Sequence, residues 1–211
     1  MQIPGEANTH IRQYSLSCAP GQPFYRISVK REDTNPDIPA GKVSVYLHNQ
    51  VQEGEVLWLS APAGDFTPDL ADTRPITLLS GGVGLTPMVS MLHTIVTTQP
   101  ERKVTFIHAA QNGAHHALRN EIEQLAKEHP QITVAWCYAD PTDADKRDQA
   151  YHKTGYLDLP WIQSLVPDVD GSFYFCGPVP FMKTVNQSLI AWGVPEADRH
   201  YEFFGPAGAL S

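Results

Sequence analysis

The chain has 211 residues, 42% of them hydrophobic and 18% charged, enough apolar material for one large or two small folded domains and too much for a disordered segment. Its formal net charge of −8, from 15 Lys+Arg against 23 Asp+Glu, argues against non-specific binding to nucleic acid or an anionic membrane, since both rest on excess positive charge. Cys18, Cys137 and Cys176 are too few and too scattered for a disulfide framework or a cysteine-ligated zinc or iron–sulfur site; with no signal-peptide pattern and no membrane-length apolar run, a soluble cytoplasmic protein is expected.

The first third alternates short β-like runs with turn residues. Ile11–Ser17, Tyr25–Arg31 and Val56–Ser60 read as strands, and Gly41–His48 as a loop opening a short helix. The polar stretch Thr67–Arg74, followed by Pro75, places a domain boundary near residue 70. Beyond it the pattern becomes strand, helix, strand, helix. Strands are predicted over Ile76–Leu79, Val104–Ala109, Thr133–Tyr138, Ser172–Cys176 and His200–Phe204. Helices are predicted over Pro87–Thr98, Ala117–His129, Asp158–Val166 and Pro178–Trp192, the last with a proline at its start. Such alternation predicts an α/β domain, a parallel sheet with helices on both faces.

Five segments carry groups suited to chemistry. In Ser80-Gly81-Gly82-Val83-Gly84-Leu85-Thr86-Pro87 an apolar strand runs through small residues into a helix, which is what a pyrophosphate needs: close backbone approach and a positive helix end. The order is not GxGxxG, and the segment reads equally as a tight strand-to-helix turn. Phe175-Cys176-Gly177-Pro178 ends a second apolar strand at the same sheet edge, where ligands of open parallel sheets sit; a buried cysteine acting as a small hydrophobe is the plainer reading. In Arg12-Gln13-Tyr14-Ser15 the alternation of a strand sends Arg12 and Tyr14 to one face and Gln13 and Ser15 to the other, offering a guanidinium, an aromatic ring and a hydroxyl; a solvated strand carrying an arginine and a tyrosine is the equally plain reading. Gly41–Ser44 offers a helix start, and Glu202-Phe203-Phe204-Gly205-Pro206 an aromatic last strand. His108, His115-His116 and His129 show no ligand spacing for a metal and read as surface residues, so no metal site is assigned.

Taken in order, Arg-x-Tyr-Ser, Gly-x-x-Ser, Gly-Gly-Val-Gly-x-Thr-Pro, Cys-Gly-Pro and Glu-x-Phe-Gly-Pro resemble the ferredoxin–NADP reductase superfamily, and most closely the reductase region of bacterial flavohaemoglobins. Val29-Lys30-Arg31-Glu32, Leu47-His48-Asn49, Ala61–Phe66 and His108-Ala109-Ala110-Gln111-Asn112 add to the likeness, which runs from about Ile11 to the end. It implies a partial antiparallel FAD-binding β-barrel over residues 1–70 followed by an NAD(P)-binding domain over 71–211. The implied cofactors are FAD and NADH or NADPH. The implied activity is hydride transfer from the nicotinamide to FAD, feeding a haem in a globin domain for oxidation of nitric oxide to nitrate.

By the same resemblance, Arg12 and Gln13 are expected at FAD, with Arg12 at its pyrophosphate; Tyr14 stacks on the isoalloxazine and Ser15 hydrogen-bonds beside its reactive nitrogen. Gly41, Val43 and Ser44 are expected at an FAD phosphate. Gly82, Val83, Gly84, Leu85, Thr86 and Pro87 are expected to hold the nicotinamide dinucleotide's pyrophosphate. Cys176, Gly177 and Pro178 line the hydride-transfer site; Phe203, Phe204, Gly205 and Pro206 cover the flavin, and Glu202 tunes it. Ser15, Cys176 and Glu202 are therefore the catalytic candidates.

The chain departs from the pattern in what precedes Arg12. The first barrel strands and the globin domain of the relatives have no counterpart here, and none of the nine histidines stands in a globin-like haem context. A half-barrel leaves strand edges unpaired, so weak FAD binding or self-association is expected. Leu118 and Phe203 are apolar exchanges against the pattern. Alternatives are the reductase component of an oxygenase, a free flavin reductase, or a non-catalytic nucleotide-binding module. Lys103 and Arg119 do not decide between NADH and NADPH.

Overall fold

The structure, a computed structural model, describes residues 3, 5, 7–36 and 39–204. Its second part is a six-stranded, wholly parallel sheet with strand order β4-β3-β2-β1-β5-β6. The strands are β1 (Ile76–Gly81), β2 (Val104–Ala110), β3 (Ile132–Tyr138), β4 (Lys153–Thr154), β5 (Ser172–Cys176) and β6 (Arg199–Glu202). Every residue of β1 and β5 is buried, as continuous apolar runs require when helices cover both faces of a sheet.

The helices divide between the faces. α2 (Leu85–Thr98) and α3 (Arg119–Glu128) cover one, where Met88, Leu92 and Ile122 pack with Leu78, Phe106, Trp136 and Tyr174. α5 (Leu159–Leu165) and α6 (Val179–Trp192) cover the other, where Ile162, Met182, Val185 and Leu189 pack with Leu79, Ile107 and Phe175. The strand order reverses between β1, which feeds α2, and β5, which feeds α6. That junction opens a crevice at the C-terminal sheet edge, the place where ligands of such sheets lodge.

Local chemistry sets the ends of the elements. Asp158 caps α5, accepting a hydrogen bond from the Trp161 amide at 3.0 Å, with Pro160 in the first turn. α6 closes at Gly193, whose φ of 91° lets Val194 N–H reach Leu189 O at 3.0 Å. α3 begins at Arg119, two residues later than expected, because Leu118 adopts a left-handed φ of 55°. Two elements lay outside the sequence expectation. β4 has two residues, too few for a period, and α4 (Asp143–Arg147) has no apolar stripe; its signal was the capping box between Thr142 and Asp145.

The N-terminal third differs from expectation more. Among the described residues, Ile11–Ser17, Tyr25–Arg31 and Val56–Ser60 form no ladder longer than an isolated bridge, Leu16 against Ile27, antiparallel, with Ser17 N–H on Arg26 O at 2.8 Å. Alternation makes a strand only where a neighbouring backbone accepts it, and here Ile11, Tyr25, Val56 and Trp58 face outward. α1 (Lys42–Asn49) does form, with Gly41 at its N-cap and Val43 buried.

The Thr67–Arg74 stretch is fastened down. Arg102, only 4% exposed, donates to Arg74 O at 2.7 Å, Asp69 O at 3.1 Å and Ser172 Oγ at 2.9 Å. Phe66 packs on the sheet core, and the Asp69 amide donates to Tyr174 Oη at 3.1 Å.

Candidate functional site

Register assembles the site. In a parallel sheet, residues in register point to the same face, and one row reads Trp136, His108, Ser80, Cys176, Glu202 across five strands. The row lies at the C-terminal ends of β1, β5 and β6, beside the crevice. From the N-terminal third, Ser15 Oγ donates to Glu202 Oε2 at 3.4 Å. The structure thus gathers Ser15, Cys176 and Glu202, 187 residues apart at the extremes of the sequence.

Their protonation follows from burial. Cys176 is fully buried, and desolvation, with the nearby Glu202 carboxylate, pushes its thiol up to about 12. It is therefore a neutral thiol and not a nucleophile. Glu202 is raised by desolvation, which outweighs the hydrogen bond from Ser15, so it keeps a proton to higher pH than an ordinary carboxyl. Beneath them, Ser80 Oγ and His108 Nδ1 share a hydrogen bond of 2.8 Å.

The glycine turns explain themselves by contact. A Cβ on Gly84 would sit 2.2 Å from Cys176 O, so the turn after β1 presses on the turn after β5. A Cβ on Gly177 would lie 2.6 Å from the Phe181 ring and 3.1 Å from Gly81 N. Gly82 has φ 52° with open space where a side chain would stand. The turn Gly82–Gly84 runs into α2 at Leu85, two residues before the expected Pro87. No side chain caps α2 and its first turn holds no acidic residue, so its positive end faces the crevice uncompensated. Val83 is half-buried; Leu85, Thr86 and Pro87 are buried, and Thr86 Oγ1 bonds Val83 O at 3.2 Å. These residues fit an anionic pyrophosphate through their backbone.

The remaining expected contacts are more dispersed. Arg12 is exposed, its Nη1 on Ile11 O at 2.7 Å, and Gln13 is exposed beside it. Tyr14 is half-buried, which raises its hydroxyl against the opposing Arg12 charge. Gly41 and Ser44 are bound to each other: Ser44 Oγ donates to Gly41 O and accepts from the Glu32 amide, both at 3.2 Å. That hydroxyl already has partners, leaving the backbone at the start of α1 as the group open to a phosphate. Pro178 forms the N-cap of α6. Phe203 packs against the second core cluster and Phe204 is 42% exposed; Gly205 and Pro206 lie outside the described residues. A cavity of about 330 Å³ opens beside Glu202, lined also by Asp65, Phe66 and His200.

Two histidines read as surface residues are not. His108 is fully buried and His116 is 7% exposed, their rings 4.5 Å apart. His116 Nδ1 pairs with Tyr138 Oη at 2.8 Å. Desolvation lowers both, His116 to about 4. The apolar flank of His108 in Val104–Ala110 was the available signal for it; for His116, after a glycine and beside another histidine, there was none. His115 is exposed as expected, and no group of three metal-ligating side chains occurs among the described residues. A larger cavity, about 750 Å³, lies past the ends of β2 and β3, lined by Gly113, His116, Arg119, Asp145 and Asp148 among others.

Residues 78–187 match the family model of the oxidoreductase NAD-binding domain. Over 209 residues the chain is 50% identical to a flavohemoprotein of Halalkalibacterium halodurans, covering 99% of this chain and 51% of that protein. It is 43% identical over 211 residues to the flavohemoprotein of Bacillus subtilis, again 51% of that protein. The chain spans about half the length of these curated relatives. Among solved structures, it superimposes on the flavohem-like FAD/NAD-binding domain of the nitric oxide dioxygenase of Vibrio cholerae with a TM-score of 0.84 at 41% identity, covering 96% of this chain and 81% of that one. The flavohemoglobin of Malassezia yamatoensis, with bound FAD and heme, gives 0.70 at 26% identity, covering 92% and 47%.

Proposed function

The chain belongs to the oxidoreductase NAD-binding domain family, within the FAD/NAD-binding reductases, and from that premise we propose that it passes a hydride from NADH or NADPH to FAD. We further propose that, as in the flavohemoproteins it is similar to, the electrons go on to a haem in a globin domain for nitric oxide dioxygenation. The observation that carries the reading is the convergence of Ser15, Cys176 and Glu202 at the crevice, directly beside the Gly81–Pro87 turn. A domain division near residue 70 accompanies it, with residues 1–70 on the flavin side and 71–211 on the nucleotide side.

When bound, the two cofactors supply the redox chemistry, two electrons and a proton moving as hydride from the dihydronicotinamide to FAD. The protein binds and orients. Gly82 and Gly84 let the backbone approach a pyrophosphate, and the α2 terminus favours its charge. Cys176, small and neutral, leaves room for a flat ring without placing charge beside it. Ser15 Oγ and a Glu202 carboxyl of raised affinity for protons offer a donor and a proton reservoir at one point. Arg12 and the start of α1 would hold the charged part of FAD, and Tyr14 would lie against its ring.

An anaerobic stopped-flow mix of the FAD-supplemented chain with NADH, then NADPH, tests this. Loss of flavin absorbance within seconds is expected with at least one donor. Tight nucleotide binding with no bleaching would instead make the chain a nucleotide-binding module.

A further inference from the structure

We propose that Arg26, Glu121 and His93 form a clamp that positions the Arg12–Cys18 segment, and with it Tyr14 and Ser15, over the edge of the parallel sheet. The inference rests on the function proposed above, because it concerns where the flavin-facing segment is held relative to the nucleotide-facing one.

The segment lacks the ladder that normally fixes a strand, so side chains must locate it. Arg26 grips it from below: its Nε donates to Ser17 Oγ at 3.1 Å, its Nη2 to Ser17 O, and its amide to Cys18 Sγ at 3.3 Å. The same guanidinium forks onto Glu121 on α3, Nη1 to Oε2 at 3.0 Å and Nη2 to Oε1 at 2.7 Å. A two-point fork fixes direction as well as distance, which a single ammonium contact does not. Glu121 is held in turn by α2, through His93 Nε2 on Oε1 at 2.5 Å. One helical turn earlier on α2, Ser90 Oγ donates to Cys18 O at 2.7 Å. Both helices that cover this face of the sheet therefore hold the segment at Ser17–Cys18.

Ser15 stands two residues before Ser17 in the same segment, so a shift at Ser17 is passed to Ser15 Oγ and its contact with Glu202. Burial alone would raise Glu121, but the hydrogen bonds from Arg26 and His93 hold it below the ordinary carboxylate range, so the fork is charged at neutral pH. Half-exposed ion pairs contribute little to stability. Placement is different: a misplacement of about 1 Å at a reacting centre costs on the order of a hundredfold in rate. The clamp acts on position more than on folding.

Its test uses the full chain with FAD and NADH in variants Arg26→Gln, Arg26→Lys, Glu121→Gln and the double Arg26→Gln/Glu121→Gln. At saturating NADH, each Gln variant is expected to reduce flavin at least tenfold more slowly, with the double no slower than either single and the NADH Kd within twofold of wild type in Arg26→Gln. Arg26→Lys, which keeps the charge and loses the fork, recovers only part of the rate. Limiting rates within twofold of wild type, or losses that multiply in the double, overturn the clamp. Amide exchange gives a readout independent of turnover: the Ser17 amide, bonded to Arg26 O, exchanges at least tenfold faster in the Arg26→Gln variant while β1, β2 and β5 do not change. If wild type fails to reduce flavin, the proposed function falls and the exchange result alone decides the clamp; unchanged exchange at the Ser17 amide overturns it.

Discussion

The sheet half and the N-terminal third obey different rules. In the first, six strands are laterally paired and two apolar clusters fill both faces, with Leu78, Leu79, Phe106, Ile107 and Phe175 fully buried. Each such side chain contributes about 1.5–3 kcal/mol relative to exposure, so this half is stabilised by area. In the second, Ile11, Phe24, Tyr25, Val56, Trp58 and Leu59 face outward, Trp58 at 91%, and the segment is located by directional polar contacts such as Arg26 on Glu121 and Ser90 on Cys18 O. The lesson is a division of labour: burial holds the sheet together, while hydrogen bonds decide where the N-terminal segment stands on it.

Four measurements sharpen or break that contrast. The largest effect is expected from Phe106→Ala, which empties a fully buried site on β2; urea unfolding should show a loss of about 3–5 kcal/mol. A loss below about 1 kcal/mol would mean that the sheet core is not what sustains the fold. Next is Gly84→Val, whose side chain would begin 2.2 Å from Cys176 O. Thermal unfolding should report a destabilisation of about 3 kcal/mol, and nucleotide binding should weaken with it, because the two glycine turns must part.

The buried histidines come third. A histidine held below its ordinary 6.5, as desolvation holds His116 at about 4, binds fewer protons when folded than when unfolded. Its contribution to stability is complete above 6.5 and is lost as pH falls toward 4. Stability should therefore decline as pH falls from 6.5 toward about 4. His116→Phe should flatten part of that slope, the rest staying with His108, His152 and His200, which burial also lowers; an unchanged slope would count against burial as its cause. The smallest effect belongs to Trp58→Ser, expected to move stability by no more than about 0.5 kcal/mol. A large loss there would show that the N-terminal third is also held by burial.

Much of the sheet half was legible because its signals are local. Apolar runs of four to seven residues, glycines after Leu79 and Cys176, and Pro160 and Gly193 at helix ends each act within a few positions. The same local signals misled in the first third: Tyr25–Arg31 alternates as a strand should, yet a strand exists only when another backbone completes it. Nothing near Arg102 in sequence tells that it binds the carbonyls of Asp69 and Arg74.

The sequence by itself determined the alternation of elements, the class of sheet, and the two small-residue turns whose order carries the family likeness. Only the tertiary structure decided that Ser80, Cys176 and Glu202 share a row, that Gly84 must be glycine because Cys176 O lies against it, that His116 is buried, and that Arg26 reaches Glu121. The physical reason is that periodicity tells a residue which way to face, whereas its neighbour is set by strand order and register, which no local pattern encodes.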